Sequence, residues 1–141
     1  MARVLIVEDS AAMRAYVRSA IERGDGIPLA GEIEVVEATS GFDALRLLPR
    51  GPYDLVITDI NMPDINGLEL IKFVRNSEHH KRVPLLMIST SDRDRERGLA
   101  LGADVFLPKP FSPEALRDAI KEAFVTRRRA SGPYPIGGTG A

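Results

Sequence analysis

"LVITDINMPDINGLEL", residues 55–70, decides the fold. A run of β-branched and aliphatic residues stops on one aspartate, Asp59. An asparagine, a proline, a second aspartate and a glycine follow at short intervals. Leu68, Ile71 and Val74 then recur at helical spacing. An unbroken apolar run of this kind marks a strand covered on both faces. Strand, tight turn and helix in that order make the repeating unit of a parallel sheet.

The same unit recurs to either side. "RVLIV" (3–7), "PLLMIS" (84–89) and "DVFLP" (104–108) are further buried-strand runs, and "EIEVVEA" (32–38) is partly alternating, as suits an edge strand. Ser10 caps an expected helix from Ala11 to about Arg23. A short helix is expected over 41–48, with Pro49 stopping it. A charged helix over 92–101 ends at Gly102, and Ser112 caps a last helix with Pro113 in its first turn. Five strands alternating with five helices predict an α/β fold, a doubly wound parallel sheet with right-handed connections. Ligands of such sheets sit outside the carboxyl ends of the strands.

Bulk composition narrows the chemistry. The 141 residues carry a net charge of −1, which offers no whole-protein field for nucleic acid or an anionic membrane. There is no cysteine, so thiol catalysis and Cys-based zinc sites are excluded. No apolar stretch approaches the ~20 residues of a membrane span. A cytoplasmic protein that does not bind membranes is expected.

The strand ends hold the polar residues. Glu8 and Asp9 follow strand one, Asp59 ends strand three, Ser89, Thr90 and Ser91 end strand four, and Lys109 and Pro110 end strand five. Three carboxylates on one rim repel one another and need a cation. Lys109 supplies one positive charge. Hard oxygen donors with no His or Cys nearby select Mg²⁺, or a similar ion such as Mn²⁺, over zinc.

In order, these residues give an acidic pair in "VED" (7–9), D-x-x-x-P-x-x-x-G from Asp59 to Gly67, a hydroxyl residue at Ser89 and "KPF" (109–111). The set resembles the receiver domain of two-component response regulators, most closely the CheY-like single-domain type, over roughly residues 3–125. The resemblance implies a flavodoxin/CheY-like fold with strand order 2-1-3-4-5. It implies that Asp59 is the phosphoacceptor, taking a phosphoryl group from a sensor histidine kinase or phosphotransfer protein. Mg²⁺ would be held by Asp9, Asp59 and the backbone carbonyl of Asn61, with Glu8 acting through water. Lys109 would pair with Asp59 at rest and with the phosphoryl group afterwards, and Ser89 would hydrogen-bond it. Pro110 would follow a cis peptide that aims the lysine. Phe106 takes the position of the family's switch aromatic, as well as being a natural core residue. Such a protein is a signalling phosphoacceptor rather than a conventional enzyme, and chemotaxis- or motility-type signalling is implied.

Three features depart from the family pattern: a shortened segment between Ser89 and Gly102, Thr90 where a very small residue is usual, and a long loop at 24–31. Charge pairs Asp92–Arg95 and Asp94–Arg97 are expected along a solvated helix face. The receiver is expected to span 1–126. Residues 127–141, "RRR" followed by a Gly- and Pro-rich stretch, read as a basic, then disordered tail. With no DNA-binding output domain expected, the output is a downstream protein bound on the face of helix four, strand five and helix five. Two other classes compete. A haloacid-dehalogenase-type phosphatase needs an acid two residues after the nucleophile, where Asn61 stands. A flavodoxin-like cofactor binder needs a hydroxyl- and glycine-rich loop after strand one, where "EDSAAMR" places two negative charges.

Overall fold

The computed structural model describes residues 1–23 and 26–130. Strands β1 (Ala2–Val7), β2 (Ile33–Ala38), β3 (Leu55–Asp59), β4 (Leu85–Ser89) and β5 (Val105–Pro108) form one sheet. Its order is β2-β1-β3-β4-β5 and every pairing is parallel. Helices α1 (Ala11–Glu22), α2 (Gly41–Leu47), α3 (Gly67–Asn76), α4 (Arg93–Leu101) and α5 (Pro113–Ala130) connect and follow the strands.

Alternation along the strands builds two cores. Val4, Ile6, Leu55, Ile57, Leu86 and Ile88 face α1 and α5, where they meet Val17, Ile21, Leu116 and Ile120. Leu5, Val7, Val56, Leu85 and Met87 face the other way, against Leu47, Leu70, Ile71 and Val74. Every residue of β3 and β4 is buried, which explains their unbroken apolar sequences. Strand β2 is the edge strand its pattern predicts; its Glu37 takes ion pairs from Arg14 (3.0 Å) and Arg18 (2.5 Å).

Several local expectations shift. Helix α2 stops at Leu47, and Pro49 sits inside a 3-10 turn over Leu48–Arg50 instead of standing beyond the helix, since proline is at home in a first turn. Asp59 is the last residue of β3, as the sequence predicts. In the 24–31 loop, of which 24–25 lie outside the described residues, Ile27 and Leu29 pack onto the α1–α5 core. Helix α5 runs on to Ala130, past the expected domain limit at 126. The cause is Arg127, whose guanidinium meets the buried Asp104 at 2.9 Å. Arg75 reaches the same carboxylate at 3.0 Å, and the Leu85 amide donates to it at 2.9 Å. The expected tail from 131 onward lies outside the described residues.

Two glycines are dictated by contacts. Gly102 closes α4 at φ +124°, and a Cβ there would stand 2.5 Å from Arg75 Cγ. Gly67 opens α3 directly under the end of β3, where a Cβ would lie 2.4 Å from the Asp59 carbonyl oxygen and 2.6 Å from Ile60 Cα.

Backbone cannot yield as a side chain can, so Gly67→Ala should lower stability by roughly 1–3 kcal/mol in chemical denaturation and shift amide resonances of residues 59–61. A second expectation concerns His80, buried with no hydrogen-bond partner on Nδ1. Burial lowers its pKa from 6.5, against a weaker opposing pull from the Leu48 backbone. The folded protein thus holds the neutral ring, and this contribution is lost as pH falls through 6.5 and below. The stability difference between wild type and His80→Gln, followed by urea melts from pH 8 to pH 5, should move toward the variant on acidification.

Candidate functional site

Strand register brings the polar residues together. Val7 is level with Thr58, Asp59 with Ile88, and Ser89 with Pro108. Glu8, Asp59, Ser89 and Lys109 therefore leave the sheet at nearly the same height. The order β2-β1-β3 makes β1 and β3 neighbours, and the chain winds in opposite directions from that point, so Glu8 and Asp9 face Asp59 across the crevice. Carboxylate oxygens of Glu8, Asp9 and Asp59 all lie within 4.8 Å of one another.

Burial differs sharply within this triad. Glu8 and Asp59 are buried and Asp9 is exposed. The Lys109 ammonium bridges the buried pair, at 2.9 Å from Glu8 Oε1 and 3.4 Å from Asp59 Oδ2. The lysine is thus shared, and lies closer to Glu8 than to Asp59. The other Glu8 oxygen accepts from the Ser10 amide at 2.9 Å. Lys109 is followed by a cis peptide to Pro110, and its amide is held by the Ser89 carbonyl at 3.0 Å.

The electrostatics follow from this packing. Burial pushes both the Asp59 and Glu8 carboxyls above their ordinary values, and the Lys109 charge only partly offsets it. Burial also pulls Lys109 down, but its bonds to Glu8 and its attraction to Asp59 win, and its pKa is raised. Two buried carboxylates and an exposed one against a single ammonium leave a surplus of negative charge. All donors are hard oxygens, so the cluster suits a small divalent cation such as Mg²⁺.

Asn61 and Ser89 complete the rim. The Asn61 amide N–H donates to Asp59 Oδ1 at 3.4 Å, and its side-chain Nδ2 donates to Ser89 Oγ at 3.3 Å. Thr90 is exposed beside them. Phe106 is half-buried in β5, level with Met87, and packs on the core beneath α2 and α3. Asp64, the second aspartate of the opening stretch, takes no part in the acidic cluster. It accepts from the Phe42 and Gly41 amides at 2.9 and 3.1 Å, and chiefly the Phe42 bond lowers its pKa to about 2. It therefore anchors the N-terminus of α2 to the loop after Asp59.

One residue escaped the sequence reading. Among the described residues neither Asp92–Arg95 nor Asp94–Arg97 forms an ion pair; Asp94 instead accepts the Ser89 hydroxyl at 3.1 Å. The short connection from β4 to α4 turns this carboxylate inward. The visible signal was the shortened segment itself, but nothing in it said which acid would turn.

Comparison with known proteins agrees with this geometry. The family described as "Response regulator receiver domain" matches residues 4–121. The chain is 34% identical over 127 residues to a chemotaxis protein CheY homolog of Campylobacter jejuni, covering 88% of this chain and 93% of the relative. It is 34% identical over 122 residues to CheY1 of Helicobacter pylori, covering 84% and 94%. The chemotaxis response regulator CheY4 of Vibrio cholerae superposes with a TM-score of 0.77 at 34% identity, covering 87% and 98%. The response regulator TrrA of Thermotoga maritima, solved in complex with Mg²⁺ and BeF, superposes with a TM-score of 0.74 at 28% identity, covering 87% and 99%. With its parallel sheet in the order 2-1-3-4-5 and its acidic crevice at the strand ends, the chain belongs to the response regulator receiver domain family of two-component signalling.

Proposed function

We propose that this chain is a CheY-type phosphoacceptor that takes a phosphoryl group onto Asp59 and passes the change to a partner protein. The observation that carries the reading is the convergence of the Glu8, Asp9 and Asp59 carboxylates within 4.8 Å, with Lys109 lying between Glu8 and Asp59. An Asp59 carboxylate oxygen attacks the phosphorus of a phosphohistidine on a sensor kinase or phosphotransfer protein. The O–P bond forms, the P–N bond breaks, and the histidine nitrogen keeps the electron pair. Phosphoryl transfer of this type depends on positioning and on neutralising charge.

Asp9, Asp59 and the Asn61 backbone carbonyl would hold Mg²⁺, with Glu8 acting through water. When bound, the ion supplies positive charge to the phosphoryl oxygens. Lys109 moves its attention from Asp59 to a phosphoryl oxygen and stays tied to Glu8. Ser89 donates to another phosphoryl oxygen, and Phe106 repacks as the crevice tightens. The target is a protein docked on the face of α4, β5 and α5, not DNA, and the receiver unit comprises residues 1–126 with the rest of α5 as its extension. Support for this output face lies in the exposed Leu99, Leu101 and Val125 on α4 and α5. No helix among the described residues is long and apolar enough to cross a membrane.

Two experiments test the reading. Asp59→Asn is nearly isosteric and should keep the fold while abolishing phosphate uptake from acetyl phosphate and Mg²⁺, read by intact mass. A Mg²⁺-dependent phosphate on another residue would overturn the assignment. For the metal, thermal melts of Asp9→Ala should lose most of the Mg²⁺-induced stabilisation. That stabilisation amounts to about 2.7 kcal/mol in wild type at one hundred times Kd. Without Mg²⁺ the variant should melt higher than wild type, because one of three mutually repelling carboxylates is gone.

A further inference from the structure

The Ser89 hydroxyl has no unused hydrogen-bonding capacity. A hydroxyl can donate once and accept twice. Its proton goes to Asp94 Oδ2 at 3.1 Å. Its oxygen accepts from the Ser91 amide at 3.0 Å and from Asn61 Nδ2 at 3.3 Å. Ser89 is fully buried and its three bonds are part-buried, so water replaces these partners only in part.

Asp94 reaches Ser89 because the connection is short. Strand β4 ends at Ser89 and α4 begins at Arg93, so only Thr90, Ser91 and Asp92 lie between. Asp94 is the second residue of α4, half-buried, with its amide donating to the Ser91 carbonyl at 3.3 Å. Gly98, one turn further along, allows the helix to press onto β4, since a Cβ there would stand 2.1 Å from Met87 Sδ. The first turn of α4 is therefore held over the strand end, and its carboxylate is directed at the hydroxyl.

We propose that Asp94 is a positioning residue of the phosphoacceptor site, which holds the Ser89 proton in the unphosphorylated protein and must release it when a phosphoryl group arrives on Asp59. The inference rests on the reading that Asp59 accepts the phosphoryl group and Ser89 donates to it. One proton cannot serve both acceptors. Phosphoryl binding thus breaks the Ser89–Asp94 bond, the proton staying on Ser89 Oγ and turning to a phosphoryl oxygen. The freed carboxylate then repels the incoming negative charge at short range. Both effects make Asp94 oppose the phosphorylated state, and its displacement moves the first turn of α4. A local exchange of hydrogen-bond partners becomes a change on the output face.

The test uses beryllofluoride, formed from beryllium chloride, sodium fluoride and Mg²⁺, titrated into wild type, Asp94→Ala, Ser89→Ala and the double variant, with two-dimensional amide NMR as the readout. Asp94→Ala should bind roughly five- to tenfold more tightly than wild type, the scale of one charge-assisted hydrogen bond partly compensated by water. In the Ser89→Ala background the same substitution should tighten binding clearly less than in wild type, because the charge repulsion remains to be relieved but no proton remains to compete for. Wild type should show large shifts at Asp94 and Arg95 on binding. Asp94→Asn, which keeps shape and loses charge, should fall between wild type and Asp94→Ala. Equal tightening in both Ser89 backgrounds, or none in either, overturns the proposal. Absence of any Asp59-dependent beryllofluoride shift in wild type instead overturns the phosphoacceptor reading, and the inference with it.

Discussion

The interaction on which the rest depends is the contact of one ammonium with two buried carboxylates at the end of the sheet. Lys109 meets Glu8 at 2.9 Å and Asp59 at 3.4 Å, in surroundings that push both acids toward protonation. No single element could build this contact. Glu8 follows β1, Asp59 ends β3 and Lys109 follows β5, so the crevice exists only when the sheet is assembled in register. The surplus negative charge left there, on hard oxygen donors, suits a small cation.

A second buried charge cluster lies toward the opposite end of the sheet. Asp104, at the start of β5, is held by Arg75 of α3 and Arg127 of α5. Arg75 also donates to the Gly102 and Val83 carbonyls at 2.8 and 2.7 Å, and burial chiefly lowers its pKa to about 10. Losing either partner of such a pair leaves a charge buried without compensation, which is far costlier than the pair itself is stabilising. The consequence is architectural. Elements α3, β5 and α5 are pinned together near one end of the sheet by this cluster, while at the other end α4 is held to β4 by the Ser89–Asp94 hydrogen bond and by packing.

Much of this was legible in residue order. Continuous apolar runs gave the buried strands, because strands covered on both faces have no solvent side to alternate with. Asp59, Glu8, Asp9 and Lys109 were legible because charged residues placed directly after such runs have few structural reasons to be there. Gly67 and Gly102 were legible as punctuation, and the structure supplies their reasons in the Asp59 carbonyl and the Arg75 side chain. The role of Arg127 was not legible, because "RRR" is what a solvated helix end looks like, and only the buried Asp104 makes Arg127 part of the fold.

The sequence by itself determined the elements, their alternation and the identity of the residues at the strand ends, since these follow from local periodicity and from chemistry that neighbouring residues share. Tertiary structure alone decided how those residues are partnered. Asp64 follows Asp59 in the same loop yet is a cap on α2, because the loop passes beside Gly41 and Phe42. Lys109 looked like the partner of Asp59 and leans toward Glu8, because β1 and β3 lie side by side at the crevice. Asp94 looked like one more charge on a solvated helix and holds the Ser89 proton, because a three-residue connection swings the first turn of α4 over the end of β4. Each is a contact between residues on different elements, set by the register and crossing of those elements, and sequence spacing carries no record of such distances.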